Sequence, residues 1–241
     1  MIPNGDCRSS LRFYHFERSD VVTRIKICGL TRKEDVDTAL KLNVHAIGFV
    51  FYPNSPRYVS PERARELMEI IPPFVTTVGL FVNATVDEVA NVLAIAPVKL
   101  LQFHGDETPQ QCNTIADRVQ RQYLRALRVK PDMSGDDLVQ YERLYRQGNP
   151  SFAGLLLDTY VDSFGGSGKV FDWSIIPKEL AHRVVLSGGL TAQNVSGAVT
   201  KVRPGAVDVS SGVELAKGIK DPAKMQAFVQ AMQLADTYLP E

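Results

Sequence analysis

The sequence alternates regularly between short apolar runs and helix-like segments. The apolar runs lie at residues 24–28, 46–51, 74–82, 99–103, 123–129, 152–157, 183–186 and 206–209. A helix-like pattern or a helical turn follows each run, and such alternation predicts a parallel β-sheet. Eight strand–helix units in sequence predict a single-domain (β/α)8 barrel, the TIM barrel. An open, doubly wound sheet is the alternative.

Charge and cysteine content narrow the class of protein. The chain has 241 residues, and Lys plus Arg balance Asp plus Glu at 27 each, so no excess of positive charge suggests a nucleic acid or an anionic membrane as partner. No apolar run approaches the ~20 residues of a membrane span. The three cysteines are scattered and lack metal-ligand spacing, which favours a reducing, cytoplasmic location. Whether the protein is a monomer or a homodimer stays open.

The first 22 residues differ from the rest of the chain. Residues 1–22 lack clear periodicity and have no apolar core of signal-peptide length. We interpret them as an N-terminal extension, disordered or the product of an early start codon, with an interaction arm as the weaker alternative. Residues 23–241 then form the barrel domain.

A cysteine ends the first predicted strand. Alternation in the stretch RIKICGLT places Lys26 and Cys28 on one side of the strand. Thr31 is expected to cap the following helix, with Glu34 as the other half of a capping box. Cys28 therefore lies at the carboxyl end of a strand, where barrel enzymes bind their ligands. The alternative is that Cys28 is an inert core residue.

Three further side chains are predicted at the same mouth of the barrel. Arg57 follows the second strand and could grip a carboxylate or phosphate, or it is a solvated loop residue. His104 ends the fourth strand and could donate to a substrate, act as acid or base, or satisfy a structural hydrogen bond. Asp158 ends the sixth strand, and we favour a functional role over a structural cap.

Small-residue turns follow the last three strands. Glycines around Gly166 permit close approach to a ligand, although a flexible linker would also contain them. The seventh and eighth strands lead into SGGL and SSGVE, and their backbone N–H groups could point at one anion. The predicted phosphate-binding residues in these two turns are Gly188, Gly189, Ser211 and Gly212.

Strand alternation also predicts a buried ion pair. Asp208 alternates with two valines in the eighth strand, so its side chain should point into the barrel. Lys26 points inward from the first strand, which is adjacent when the barrel closes. Because a buried charge needs a partner, we expect Lys26 and Asp208 to form an ion pair.

Together these groups predict acid–base chemistry on a phosphosugar. There is no metal-ligand cluster, Walker loop or Rossmann fingerprint, and no cofactor is expected. Cys28 must be a thiolate to act as a base, and helix N-termini around the mouth are expected to lower its pKa from the ordinary ~8.5. Asp158 must hold a proton to act as an acid.

Several motifs occur in family-like order from Arg24 to the C-terminus: KICGLT, GFVFYPNSPRYVS, VGLFVN, LQFHGDE, LLLDT, GGSGKVFDW, LSGGL and VDVSSGVE. Together they resemble the phosphoribosylanthranilate isomerase family of tryptophan biosynthesis. The resemblance implies a cofactor-free Amadori rearrangement. In it, N-(5′-phosphoribosyl)anthranilate becomes 1-(2-carboxyphenylamino)-1-deoxyribulose 5-phosphate.

The resemblance also implies roles for individual residues. Asp158 matches the general acid that protonates the furanose ring oxygen, and Cys28 matches the general base that takes the C2 proton. Arg57 matches the arginine that holds the anthranilate carboxylate. The phosphate would be held by the turns Gly188–Gly189 and Ser210–Gly212, helped by the loop around Gly166. His104, which lies in the family's His-Gly motif, and Asp208 complete the predicted substrate-binding set.

Three rival functions fit the sequence less well. A dual-substrate isomerase shared with histidine biosynthesis carries acid–base aspartates on its first and fifth strands, but the first strand here offers Cys28. A ribulose-phosphate epimerase needs metal-binding His and Asp at strand ends, which are absent from the sequence. A non-catalytic phosphate-binding barrel would not need both Cys28 and Asp158.

Overall fold

A computed structural model describes residues 22–147, 149–159 and 170–237, and there the strands close into a parallel barrel in the order β1 to β8. The barrel strands are Arg24–Cys28 (β1), Ala46–Val50 (β2), Thr76–Phe81 (β3), Leu100–Phe103 (β4), Gln122–Val129 (β5), Phe152–Thr159 (β6), Val185–Leu186 (β7) and Ala206–Val209 (β8). The predicted (β/α)8 barrel is confirmed, and the open sheet is excluded because β1 pairs with β8. The predicted extension lies outside the described residues except for Val22.

The helices surround the barrel. They are Lys33–Lys41 (α1), Pro61–Met68 (α2), Val86–Ile95 (α3), Pro109–Val119 (α4), Gly135–Arg146 (α5), Lys178–Ala181 (α6), Val195–Val202 (α7) and Pro222–Thr237 (α8). A short 3₁₀ turn, Trp173–Ile175, precedes α6. Within the described ranges, no helix combines the length and apolarity needed to cross a membrane.

Local sequence explains where several helices begin. Thr85, Thr108 and Ser134 each accept a hydrogen bond from the backbone N–H three residues on, in complete capping boxes. The capping box predicted for Thr31 is wrong. Helix α1 has Arg32 at its N-cap without a side-chain bond, because the Thr31 hydroxyl instead donates to the carbonyl of Gly218 at 2.6 Å.

The two faces of β1 show how the barrel is packed. Ile25 and Ile27 are buried in the apolar layer between strands and helices. Lys26 and Cys28 alternate with them and are buried on the inner side, where Lys26 stands opposite Asp208 in the register with β8. The predicted alternation is therefore confirmed.

A short hairpin follows β8 and was not predicted. Its antiparallel strands are Glu214–Ala216 (β9) and Ile219–Lys220 (β10). Gly218 makes its turn with φ of +79°, a value that favours glycine. A Cβ at Gly218 would lie 2.7 Å from the carbonyl oxygen of Pro56, so the hairpin packs closely against the loop that carries Arg57.

Candidate active site

A cavity of about 340 Å³ opens at the carboxyl ends of the strands, the size of a small-ligand site. The structure brings nearly all the predicted residues to its wall: Cys28, Arg57, His104, Asp158, Gly188, Gly189, Asp208, Ser210, Ser211 and Gly212. Gly166 lies outside the described residues, so its predicted contribution stays a prediction.

Cys28 ends β1, and a glycine in the neighbouring strand leaves room for its sulfur. Its neighbour in β2 is Gly48, and a Cβ there would lie 2.7 Å from the Cys28 sulfur. Burial raises the pKa of the Cys28 thiol, and the charges of Lys26 and Lys220 only partly oppose this. The lowered pKa predicted from the sequence is therefore wrong, because loss of water around the sulfur outweighs the nearby positive charges.

The predicted ion pair is confirmed. Lys26 Nζ lies 2.8 Å from Asp208 Oδ2, and both side chains are buried. Burial disfavours the ammonium, but the adjacent carboxylate raises the pKa of Lys26 above its ordinary value. Asp208 Oδ1 is also buried and has no hydrogen-bond partner within the described part of the chain. Because Asp208 lines the cavity, this oxygen is available to a ligand hydroxyl.

His104 connects the predicted acid to a glutamine that sequence analysis missed. Its Nε2 lies 3.1 Å from Asp158 Oδ2, and its Nδ1 lies 3.1 Å from Gln102 Nε2. An amide nitrogen only donates hydrogen bonds, so His104 Nδ1 accepts one from Gln102. His104 Nε2 therefore carries the ring hydrogen and donates a hydrogen bond to Asp158. Asp158 Oδ1 accepts the backbone N–H of Thr159 at 2.9 Å, so both carboxyl oxygens are oriented. Alternation in LLQFH could have identified Gln102, since it faces the same way as His104.

Arg57 is held by a carboxylate that sequence analysis also missed. Its Nε donates to Glu214 Oε1 at 2.7 Å and its Nη2 donates to Oε2 at 2.8 Å. This is a bidentate pair in which both side chains are largely buried. Glu214 also accepts from Lys220 Nζ at 3.0 Å.

The two glycine turns form one continuous lining. Gly188 and Gly189 have φ of +83° and +66°, and the described residues provide no hydrogen-bond acceptor for either N–H. A Cβ at Gly212 would overlap the carbonyl oxygen of Leu190, which shows how closely the loops after β7 and β8 meet. Ser210 Oγ donates to the carbonyl of Cys28 at 3.0 Å and joins this lining to β1. Free N–H groups in such turns suit an anion.

The fold and the cavity define a class of protein, the (β/α)8 barrels with a ligand-sized cavity that titratable side chains and small-residue turns line at the strand ends. The family model described as N-(5′-phosphoribosyl)anthranilate (PRA) isomerase matches residues 25–231. The chain therefore belongs to the N-(5′-phosphoribosyl)anthranilate isomerase family.

Individual relatives agree with this membership. A protein of Herminiimonas arsenicoxydans named N-(5′-phosphoribosyl)anthranilate isomerase is 62% identical over 217 residues, which cover 90% of this chain and 96% of the relative. The crystal structure of phosphoribosyl anthranilate isomerase from Thermotoga maritima is 41% identical, with a TM-score of 0.77 and coverage of 88% and 98%. A phosphoribosyl anthranilate isomerase crystallised in complex with reduced 1-(o-carboxyphenylamino)-1-deoxyribulose 5-phosphate is 37% identical. Its TM-score is 0.74, and the match covers 88% of this chain and 98% of that one.

Family membership gives the activity. The chain is an isomerase that converts N-(5′-phosphoribosyl)anthranilate to 1-(2-carboxyphenylamino)-1-deoxyribulose 5-phosphate in tryptophan biosynthesis. The isomerase activity predicted from the sequence is confirmed, whereas the predicted acid–base mechanism stays a prediction. Family membership sets aside the rival assignments as an epimerase or a non-catalytic binding barrel.

Proposed function

We propose that this isomerisation proceeds by general acid–base catalysis, with Asp158 as the acid and Cys28 as the base. The observation that carries the proposal is that one cavity holds both groups together with a turn lining suited to phosphate. Asp158 gives its proton to the furanose ring oxygen as the C1–O bond breaks, which leaves a protonated Schiff base. The Cys28 thiolate then removes the C2 proton, and the resulting enolamine tautomerises to the ketone.

His104 acts on Asp158 in this proposal and not on the sugar. The hydrogen bond from His104 Nε2 and the one from the Thr159 N–H hold the Asp158 carboxyl in a single orientation. Gln102 holds the imidazole in turn through Nδ1. His104 is therefore a positioning residue. The sequence predicts it as a member of the substrate-binding set without a specific role.

Lys26 supports the thiolate. Its ammonium and Cys28 share the inner face of β1, and Lys26 lowers the pKa that burial raises. The thiolate that takes the C2 proton therefore carries its charge beside a fixed cation until the proton is transferred.

The remaining groups hold the two ends and the middle of the substrate. The turns Gly188–Gly189 and Ser210–Gly212 take the phosphate, and Arg57 takes the anthranilate carboxylate. Asp208 accepts a sugar hydroxyl at its unpaired Oδ1. The complex of the related isomerase with a reduced product analogue supports a cavity of this shape, because that ligand carries a phosphate and a carboxyl group.

Fluorescence-monitored turnover of freshly made phosphoribosylanthranilate tests the two catalytic roles. Cys28→Ser and Asp158→Asn should each lower kcat by roughly 10²–10⁴-fold while the affinity for the product analogue stays close to that of the original protein. Cys112→Ser is the matched control, because Cys112 is the second buried cysteine among the described residues, and it should keep kcat. Full turnover by either variant would remove that residue from the mechanism.

We also propose a cytoplasmic location. Cys28 and Cys112 are free thiols in the structure, as expected for a reducing compartment. Immunolocalisation in fractionated cells, with recovery outside the cytoplasmic fraction as the contradicting result, tests this.

A further inference from the structure

We propose that Glu214 is a positioning residue that orients Arg57 toward the substrate carboxylate, and that the hairpin β9–β10 holds Glu214 in the position this requires. This inference deepens the proposed role of Arg57 and rests on it.

The geometry of the pair leaves part of the guanidinium for a ligand. Glu214 takes the Nε hydrogen and one Nη2 hydrogen of Arg57, at 2.7 and 2.8 Å. A guanidinium has five N–H donors in one plane, so the Nη1–Nη2 edge can still bind a second carboxylate side by side. Since Arg57 lines the cavity, fixing one edge on Glu214 fixes the direction in which the other edge points.

The charges around Arg57 favour an anion even with Glu214 present. Lys220 Nζ is fully buried, lies 3.0 Å from Glu214 Oε1 and also donates to Ser210 O at 3.0 Å. Counted by formal charge, two cations and one anion leave one unit of positive charge on the Arg57–Glu214–Lys220 cluster, while burial lowers the pKa of Lys220 and Glu214 opposes that lowering. Without Lys220, Arg57 and Glu214 would be a neutral pair that attracts a carboxylate less strongly.

The hairpin supports the Arg57 loop mechanically as well. A Cβ at its turn residue Gly218 would lie 2.7 Å from the carbonyl oxygen of Pro56, and the Gly218 carbonyl accepts a hydrogen bond from the Thr31 hydroxyl at 2.6 Å. On the other side, a Cβ at Gly29 would lie 2.5 Å from Arg57 Cδ, so the aliphatic part of the arginine fits against bare backbone. Arg57 therefore lies between the turn after β1 and the hairpin, with Glu214 at its charged end.

The test compares two substrates that differ by the carboxylate alone, N-(5′-phosphoribosyl)anthranilate and N-(5′-phosphoribosyl)aniline. For Glu214→Gln we expect kcat/KM for the anthranilate substrate to fall by about 10- to 100-fold, mostly through KM, as for a lost hydrogen bond to a charged group. For the aniline substrate it should change less than about threefold. A purely structural role for Glu214 would lower both values together and would overturn the inference.

Matched variants separate the inference from the assignment on which it rests. Glu142→Gln removes a buried glutamate that pairs with Arg146 and Arg183 outside the cavity, and should leave both substrates unaffected. Arg57→Met should lose activity selectively toward the anthranilate substrate. If it does and Glu214→Gln does not, the role of Glu214 is wrong; if Arg57→Met is unselective, the role of Arg57 itself is wrong.

Two further measurements keep the result decisive. In an Arg57→Met background, Glu214→Gln should add no further loss toward the anthranilate substrate, because the partner through which it acts is gone. If Glu214→Gln fails to fold, Glu214→Asp keeps the charge but shortens the reach, and it should show the same substrate-selective loss. An additive loss in the double variant would overturn the inference.

Discussion

Replacing Lys26 by Met should destabilise the barrel strongly and in a pH-dependent way. The Lys26–Asp208 pair is buried, with 2.8 Å between Nζ and Oδ2, and Asp208 Oδ1 already lacks a partner in the described residues. Breaking a buried pair by removing one member costs about 3–5 kcal/mol, because the other charge stays buried and unpaired. For a chain of this length, we expect the melting temperature to fall by roughly 6–20 °C.

The pH dependence arises because the unpaired Asp208 carboxylate can become neutral by taking up a proton. Burial raises the pKa of Asp208 and Lys26 counteracts that rise, so in Lys26→Met the folded carboxyl takes up a proton. From an ordinary pKa of ~3.9, protonation costs about 4 kcal/mol at pH 7 and about 1.5 kcal/mol at pH 5. A group whose folded pKa is raised loses its stabilising contribution as pH increases. The variant should therefore be much closer to the original protein at pH 5.

Urea unfolding at pH 5 and pH 7, followed by far-UV circular dichroism, measures both effects. Lys26→Met/Asp208→Leu removes both charges and should recover most of the lost stability. Lys33→Met breaks an exposed pair with Asp37 and should cost less than about 1 kcal/mol. The reasoning is refuted if Lys26→Met lies within 1 kcal/mol of the original protein at pH 7, a threshold of roughly the size of an exposed pair, or if its loss is the same at both pH values.

Three further predictions concern the cavity. Gly48→Ala places a methyl group 2.7 Å from the Cys28 sulfur, so kcat should fall by about tenfold or more with the fold retained, and an unchanged kcat would contradict this. Gly212→Ala forces apart the loops that meet at Leu190, so KM for the phosphorylated substrate should rise while circular dichroism shows an intact barrel; an unaltered KM would argue against phosphate at this turn. Because burial raises the pKa of Cys28, iodoacetamide should alkylate Cys28 more slowly than free cysteine at pH 7, and the rate should increase from pH 7 to 9. Mass spectrometry in a Cys112→Ser background measures the rate. Alkylation faster than that of free cysteine at pH 7 would show a stabilised thiolate and contradict the prediction.

Much of the site follows from rules that act along a single strand. The alternation of β1 and β8 predicted that Lys26 and Asp208 face each other, and barrel closure brought them to 2.8 Å. The same rule places Cys28, His104 and Asp158 at one mouth, because parallel strands end on the same side. These residues needed only strand direction and period, both of which the sequence contains.

Other features depend on contacts that no local pattern contains. Glu214 lies 157 positions from Arg57, in a hairpin whose strands have three and two residues and therefore show no alternation. Thr31 precedes a helix as an N-cap residue would, but its hydroxyl donates a hydrogen bond to the carbonyl of Gly218 in the hairpin. The pKa of Cys28 depends on burial and the charge of Asp208, which raise it, against two lysine charges, which lower it, and that balance exists only in the folded barrel.

The meeting of β1 and β8 also has a consequence for the order in which activity appears during protein synthesis. Cys28 emerges early, whereas Asp208 and Ser210, which support β1 through Lys26 Nζ and the Cys28 carbonyl, each lie 182 positions after the residue they contact. A nascent chain that has formed most of its local strand–helix contacts still lacks these partners. Turnover should therefore report on completion of the last barrel strand, β8, which makes enzyme activity a kinetic signal for the slow, high-contact-order step of folding.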